Sequence, residues 1–297
     1  MYSSDRLSVI ICSIDPDKCN GCIDALKRTA GITLDIHVTD NRADARPIAE
    51  VYNDSANISG SPYLLFIHED VIISSHGWGR KLLDKLSEPE TGVIGFAGST
   101  LRVPVPGGWD QGGPEYMRAS LRHIEHGEER TMSFGVVDGE TFRQVIAVDG
   151  LAMAVRRDVW ARHPFDEAML TGFHCYDIDF SVEIAYAGLR NYVMYGVDVL
   201  HLSAGSYSDS WLRHTIEMFY AKWSRIPVLS VDLVDAKKAN DAKCRCLYSF
   251  IFKAIRSDMP DSEVQRLMKH YRSLPSSSHR YYRHLLTLTW QQLRYRS

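Results

Sequence analysis

The residues best suited to chemistry begin with His68-Glu69-Asp70, which directly follow an apolar run at 63–67. That run has the length and composition of a buried strand. A carboxylate held at the end of a buried strand is a suitable ligand for a hard divalent cation, which takes one or two protein carboxylates together with substrate phosphates. The alternative is a solvated turn that merely ends the strand.

A second acidic cluster, Asp177 and Asp179, stands at the start of a predicted helix at 177–187. Acids favour helix N-termini, where capping and the helix dipole each contribute about 0.3–2 kcal/mol, so a capping role is one explanation. The other explanation is a general base, ionised at pH 7 and held by a rigid element. In that case we expect Asp177 to face the cleft and Asp179 to cap the helix or pack against it.

Histidine and cysteine supply two further candidates. His201 lies near the end of a predicted strand at 197–202, although a lone histidine is more often structural than a ligand. Cys19 and Cys22 have the CxxC spacing of a redox pair at the start of a helix. A single CxxC is a weak signal, and two thiols on one helix face are the simpler interpretation.

Alternating strands and helices must position these side chains. Four segments of strand length occur in the first hundred residues, at 7–12, 34–38, 63–67 and 92–97, with helices predicted between them. This alternation predicts the α/β class: a Rossmann-like mixed, mainly parallel sheet flanked by helices. Ligands bind beyond the carboxyl ends of such strands. Asp15, Asp40 and Asp70 all lie at or just past those predicted ends.

The rest of the chain divides into a loop-rich segment and a helical end. Residues 101–140 are rich in glycine and proline, which predicts a long functional or mobile loop. Near the end of the chain, helices are predicted at about 239–256, 262–273 and 279–294. We therefore expect a catalytic domain at 1–235 and a helical C-terminal extension at 236–297.

The composition is that of a soluble globular protein. The 297 residues are 45% hydrophobic and 24% charged, and no window of about 18 residues is apolar enough for a membrane span. The apolar run at 7–12 is too short for a signal peptide. We therefore expect a cytoplasmic protein whose six cysteines are reduced.

Charge is distributed unevenly along the chain. Residues 236–297 contain 13 lysines and arginines against 4 acidic residues, a net charge of +9, which leaves −12 on residues 1–235. Such asymmetry points to a partner with a negative surface, either a membrane or a nucleic acid. The helix at 279–294 also mixes leucines and a tryptophan with arginines, as helices that lie on a membrane surface do. The alternative is a helical cap that pairs with the acidic body or with a second subunit.

Several of these features resemble family 2 of the nucleotide-sugar glycosyltransferases. In chain order they are Asp40, Asn53, His68-Glu69-Asp70, the stretch 165–179 and His201, together with Gly92-Val93-Ile94-Gly95-Phe96-Ala97-Gly98-Ser99. The resemblance covers about residues 7–206. It implies a glycosyltransferase-A type fold, a Mn²⁺ or Mg²⁺ ion and inverting sugar transfer.

The resemblance also implies roles for individual residues at the reacting centre. Asp70 matches the last carboxylate of the family's DxD motif, which holds the metal on the donor diphosphate. His201 matches a histidine that completes the metal shell, and Asp177 matches the catalytic base. The sequence departs from the family at two positions, with His68 in place of the first aspartate of DxD and Tyr176 in place of the glutamate before the base.

The implied donor contacts lie on the nucleotide side. Asp40 matches an acidic residue that contacts the nucleoside, and Ser13 and Asp15 lie in the loop around the base. Asn53 and His68 complete the implied donor contacts. The partners would be a nucleotide-sugar of UDP or GDP type and a glycan or lipid-linked acceptor, with no nucleic acid.

Two other function classes compete with this one. A glycoside hydrolase could use Asp70 and Asp177 as its paired carboxylates, but it would need no nucleotide. A nucleic-acid-binding module could use the aromatic and basic residues of the extension. The acidic body would repel phosphate backbones, however, and no nucleic-acid-binding motif is present.

Overall fold

The computed structural model describes residues 5–203, 205, 207–275 and 279–296. Ala204 and Ser206, at the end of the family resemblance, lie outside the described residues. The strands are β1 (Arg6–Ser13), β2 (Thr33–Asp40), β3 (Tyr63–Ile67), β4 (Val71–Ile73), β5 (Thr91–Gly95), β6 (Ala97–Ser99), β7 (Leu101–Arg102), β8 (Met117–Glu125), β9 (Glu128–Phe134), β10 (Phe142–Val145), β11 (Ala147–Val148), β12 (Ala152–Arg156), β13 (Arg190–Met194), β14 (Val199–His201) and β15 (Leu229–Ser230).

The helices alternate with these strands and then form the C-terminal end. They are α1 (Pro16–Thr29), α2 (Ile48–Ile58), α3 (Trp78–Leu86), α4 (Arg157–Arg162), α5 (Tyr176–Tyr186), α6 (Asp209–Met218), α7 (Ala236–Ile255), α8 (Asp261–Ser273) and α9 (His279–Arg296), with a π-helical turn at Phe219–Trp223.

A seven-stranded sheet in the order β10-β13-β5-β12-β3-β1-β2 forms the centre of the molecule. β1 pairs in parallel with both β2 and β3, whereas β12 runs antiparallel to β3 and β5. The prediction of an α/β fold with a mixed sheet flanked by helices is therefore confirmed. Two apolar cores cover the faces of this sheet.

The parallel strands bring several predicted site residues to one edge. Ser13 at the end of β1 is in register with Asp40 at the end of β2. Ile10 of β1 is in register with Phe66 of β3, so residues 68–70 emerge beside the end of β1. The carboxyl ends of these three strands thus form one rim, as the α/β pattern predicts.

A second sheet, in the order β11-β6-β8-β14-β4, supplies the remaining strand end. β14 runs antiparallel to β4, with His201 in register with Val71. The backbone N–H of Leu202 donates to the carbonyl of Asp70. This pairing brings His201 beside the 68–70 segment, although the two lie more than 130 residues apart in sequence.

The prediction of a loop over 101–140 is wrong for part of this segment, because β8 and β9 form an antiparallel hairpin there. His126 and Gly127 form its turn, both with positive φ. The sequence pattern does not predict β8 and β9, because their outward side chains are polar and β9 is largely exposed. No continuous apolar run marks either strand. The glycine- and proline-rich residues 103–116 do form a connection without regular strands or helices.

The three C-terminal helices pack into a third apolar core. Leu247 of α7 and Leu267 of α8 are fully buried in it, and so is Leu288 of α9. Leu101 and Leu212, which lie before residue 235, belong to the same core. The helices are therefore attached to the body through shared packing. No helix within the described parts of the chain is both long and apolar enough to cross a membrane.

Candidate metal centre and adjoining carboxylates

His68, Asp70 and His201 form a compact cluster at the rim. Asp70 is 8% exposed, and its Oδ1 lies 3.1 Å from Nε2 of His201. The ring centroids of His68 and His201 are 5.7 Å apart. One ligand atom from each of the three residues can be chosen such that all lie within 4.8 Å of one another.

This donor set fits a divalent metal ion. Ligand atoms on opposite sides of one ion, each about 2.1 Å away, are about 4.2 Å apart, so small side-chain movements would suffice. Imidazole nitrogens favour transition-series ions, and carboxylate oxygens also suit Mn²⁺. Two histidines and one aspartate therefore suit a transition-series ion better than Mg²⁺, which prefers oxygen ligands.

The charges of the cluster are strongly coupled. Burial by itself would raise the pKa of Asp70, but the hydrogen bond and charge of His201 hold it well below its usual value. Burial would lower the pKa of His201, and Asp70 raises it instead. Burial and the charge of His201 lower the pKa of His68 to about 4. His68 is thus neutral at pH 7, the form in which an imidazole binds metal.

Tyr176 and the backbone turn at 149–151 connect the cluster to the second carboxylate site. The Tyr176 hydroxyl lies 2.5 Å from Nε2 of His68 and donates to the carbonyl of Gly150 at 3.0 Å. The N–H of Gly150 donates to Oδ2 of Asp177 at 3.1 Å. A Cβ at position 150 would collide with the Tyr176 hydroxyl, so this close approach requires glycine.

Asp177 lies in the first turn of α5, which begins after Cys175 in the left-handed conformation. Burial and the neighbouring charge of Asp149 raise the pKa of Asp177 to about 7. A carboxylate with this pKa is balanced between its acid and base forms near neutral pH. That property suits proton transfer.

Asp179, two residues further along α5, packs against other parts of the chain. It is 2% exposed, and its Oδ1 accepts from the indole N–H of Trp223 at 2.7 Å. Its Oδ2 accepts from Nζ of Lys222 at 2.9 Å. These contacts join α5 to the π-helical turn, which leaves Asp177 as the carboxylate of the pair that faces the turn at 149–151.

Glu69 holds the loop that follows β1. Its Oε2 accepts from the Ser13 hydroxyl at 2.6 Å and from the N–H groups of Ile14 and Asp15 at 3.1 and 2.9 Å. The Asp15 carboxylate in turn caps α1 by accepting from the N–H groups of Asp17 and Lys18. Glu69, which lies between His68 and Asp70, thus holds Ser13 and Asp15 close to the His68–Asp70–His201 cluster.

Asp40 and Asn53 have contrasting surroundings. The Asp40 side chain is 58% exposed, and its hydrogen bonds with Arg42 lower its pKa to about 2. Asn53 is buried, and its amide bonds to the backbone of Phe165 and to the side chains of Trp160 and Glu167. These bonds use both donor hydrogens and both acceptor lone pairs of the amide. Asn53 therefore fastens α2 to the segment before α5.

Asp149 is the principal site residue absent from the sequence predictions. Its Oδ1 accepts from the N–H of Leu151 at 2.8 Å, and burial raises its pKa. The carbonyl of Leu151 accepts from the N–H of His68, so the turn contacts both halves of the site. One signal was available: Asp149-Gly150 interrupts an otherwise apolar stretch at 145–155.

A family model described as "Glycosyltransferase like family" matches residues 8–223, which is most of the chain. It agrees with the resemblance seen in the sequence. No curated protein matches the chain.

Among solved structures, the chain is similar to GalNAc-T7 in its crystal structure with UDP, GalNAc and Mn²⁺, with a TM-score of 0.53 and 10% identity. The alignment covers 89% of this chain and 54% of the other, so this chain spans about half the length of its relative. This likeness confirms the glycosyltransferase-A type fold. A second match, to A197 from STIV, has a TM-score of 0.39 at 15% identity and covers 67% of this chain and 86% of the other.

Proposed function

Because this chain belongs to the glycosyltransferase-like family, we propose that it is an inverting, metal-dependent glycosyltransferase. The donor is a nucleotide-sugar of UDP or GDP type, and the acceptor is a hydroxyl of a glycan or of a lipid-linked glycan. The observation that carries this proposal is the His68–Asp70–His201 cluster at the carboxyl ends of the strands, with Asp177 close behind it.

In this proposal, His68, Asp70 and His201 hold a divalent ion, preferably Mn²⁺. A bound cation stabilises the negative charge that develops on a departing diphosphate. His201 would hold the ion as a neutral imidazole, because a metal ligand must be deprotonated. Tyr176 contributes by holding Nε2 of His68. GalNAc-T7, which has a similar fold, was crystallised with UDP, GalNAc and Mn²⁺, and this supports a nucleotide-sugar donor and a metal ion for this chain.

Asp177 serves as the general base. It accepts the proton of the acceptor hydroxyl as the hydroxyl oxygen attacks the anomeric carbon, while the bond to the diphosphate breaks on the opposite face of the sugar. One carboxylate suffices for inversion, because the base does not return its proton to the leaving group. The N–H of Gly150 orients Asp177, and a pKa of about 7 makes proton acceptance effective near neutral pH.

The donor nucleoside lies along the ends of β1 and β2. Asp40 is ionised and exposed there, in register with Ser13, and a ribose hydroxyl would bind it by replacing part of its two-pronged pairing with Arg42. The loop at 13–15, held by Glu69, surrounds the base. Asn53 does not contact the donor directly in this proposal, because protein groups occupy its amide fully.

A thermal-shift panel tests the donor and metal assignments. UDP- and GDP-sugars are added with and without Mn²⁺ to the wild-type chain, to Asp70→Ala and to His201→Ala. A ligand that binds only the folded state raises the melting temperature. We expect a shift that needs both nucleotide and Mn²⁺, is lost in Asp70→Ala, and is reduced in His201→Ala. The matched control is Asp84→Ala, which removes an exposed carboxylate from α3.

Two results would contradict the proposal. Full Mn²⁺-dependent nucleotide binding by Asp70→Ala would show that Asp70 is not a metal ligand. Cleavage of a glycoside without any nucleotide, together with no thermal shift from any nucleotide-sugar, would favour the hydrolase alternative.

A further inference from the structure

The two faces of α9 differ sharply. Tyr281 and Leu288 are buried in the third core, and the Tyr281 ring stacks on Tyr271 with a centroid distance of 5.2 Å. At 3.6 residues per turn, Tyr282, Leu286 and Trp290 lie together on the opposite side of the helix. These three side chains are 56%, 73% and 53% exposed. An apolar stripe two turns long thus lies on the outer surface, while the inner face holds the helix in place.

Positive charge accompanies this stripe. Arg283 and Arg294 are exposed next to it, and the Arg294 guanidinium lies 5.2 Å from the Trp290 ring centroid. No acidic residue occurs anywhere from position 265 to position 297, a stretch that contains seven lysines and arginines. The surface is therefore apolar along its middle and cationic at its side.

We infer that this outer face of α9 (Tyr282, Arg283, Leu286, Trp290 and Arg294) binds an anionic lipid bilayer. Amphipathic helices of this kind bury their apolar face at the boundary between headgroups and acyl chains. Tryptophan and tyrosine are enriched at that depth, and arginines pair with anionic headgroups. The inference narrows the proposed acceptor class to a lipid-linked glycan at a membrane surface, and in that respect it rests on the proposed function.

Charge argues against a dimer in which this face pairs with itself. In a two-fold dimer whose axis passes through the stripe, α9 would face α9. Arginines would then approach arginines, with no acidic residue on either helix to pair with them. An anionic bilayer satisfies both, because its headgroups pair with the arginines and its acyl chains accept the apolar stripe.

Vesicle flotation tests the surface, with the full-length chain and vesicles of phosphatidylcholine alone or with 30 mol% phosphatidylglycerol. We expect flotation with the anionic vesicles only, decreasing as salt rises. Arg283→Gln and Arg294→Gln should each weaken binding about fivefold, which corresponds to about 1 kcal/mol per basic residue. Leu286→Ser combined with Trp290→Ser should weaken it at least tenfold. The matched control, Ile58→Ser, alters an apolar side chain that is 78% exposed on the body and should change nothing.

Three outcomes would overturn the inference. They are no flotation at low salt, wild-type flotation by the Leu286/Trp290 double variant, and a lipid-independent dimer that the same double variant dissociates. Circular dichroism confirms that each variant is folded. The Mn²⁺-dependent rise in melting temperature with nucleotide is measured on the same samples. If the wild-type chain shows this rise but does not float, the membrane inference is wrong and the proposed transferase stands. If it floats but shows no such rise with any nucleotide-sugar, the proposed transferase is wrong and the membrane inference stands.

Discussion

At the scale of single residues, the raised pKa of Asp177 predicts how sugar transfer depends on pH. A general base works only when deprotonated, so with a pKa of about 7 the rate should fall about tenfold per unit below pH 7. Initial rates at saturating donor and Mn²⁺ between pH 5.5 and 8.5 would measure this decrease, which is the acidic limb of the pH–rate profile.

Asp149 provides the internal control for that prediction. Its negative charge is one cause of the raised pKa of Asp177, so Asp149→Asn should move the acidic limb to lower pH. A limb that stays at pH 7 in Asp149→Asn would show that the two carboxylates are not coupled in this way.

The two acids of α5 should respond differently to the same conservative change. Asp177→Asn keeps the shape of the side chain and an acceptor for the Gly150 N–H, but it removes basicity. Donor affinity should survive while transfer falls about 10²–10⁴-fold. Asp179→Asn should instead lower stability, because it removes the buried charge that faces Lys222. Steady-state kinetics and urea unfolding on both variants separate the effects; transfer lost only in Asp179→Asn would mean that the base was assigned wrongly.

At the scale of elements, Glu69 determines how the end of β1 meets the segment after β3. One carboxylate oxygen accepts three hydrogen bonds from residues 13–15, so Glu69→Ala leaves three donors without their acceptor. We expect a loss of about 1–2 kcal/mol in the free energy of unfolding. Nucleotide affinity should also weaken, whereas Mn²⁺ binding to His68, Asp70 and His201 should change little.

Urea unfolding and calorimetric titration of Mn²⁺ and of nucleotide measure these three quantities. Glu69→Gln should have a smaller effect than Glu69→Ala, because its amide oxygen can still accept some of the three hydrogen bonds from residues 13–15. A Glu69→Ala variant with unchanged stability and unchanged nucleotide affinity would show that the loop does not depend on this carboxylate.

At the scale of the whole molecule, the C-terminal helices are integral to the packing of the body. Leu101, Val103 and Leu212 share the third core with Leu247 and Ile251 of α7. A chain that ends at Asp235 would expose these apolar side chains, and we expect it to aggregate or to unfold at a lower temperature.

Soluble yield and thermal unfolding of the truncated chain test this expectation. Leu286→Ala, which alters an exposed side chain of α9, should leave stability within about 0.5 kcal/mol of the wild type. A truncated chain as stable as the full one would instead make the extension an independent appendage. The shared core is also why point variants, rather than truncation, are the proper test of the membrane surface.

Local sequence was sufficient for the features that depend on near neighbours. Apolar runs predicted β1 and β3, and local sequence patterns predicted α5 and the three C-terminal helices to within a few residues, because these signals lie within each segment itself. The α/β alternation then placed Asp15, Asp40 and Asp70 at one rim, since parallel strands end on the same side of a sheet. The helix position of Asp177 and Asp179 was likewise visible without a structure.

Tertiary structure decided whatever depends on which distant segments pair. The antiparallel insertion of β12 beside β3 brings Asp149 and Gly150 between the cluster and Asp177, and the pairing of β14 with β4 brings His201 to Asp70. Other long-range contacts show that Asp179 packs against Lys222 and Trp223. They also show that the Asn53 amide is fully occupied by protein groups. Charge and apolar content showed that the C-terminal end was unusual, but only packing showed which face of α9 is buried. Long-range pairing follows from the total burial and hydrogen bonding of the folded chain, which no single segment encodes.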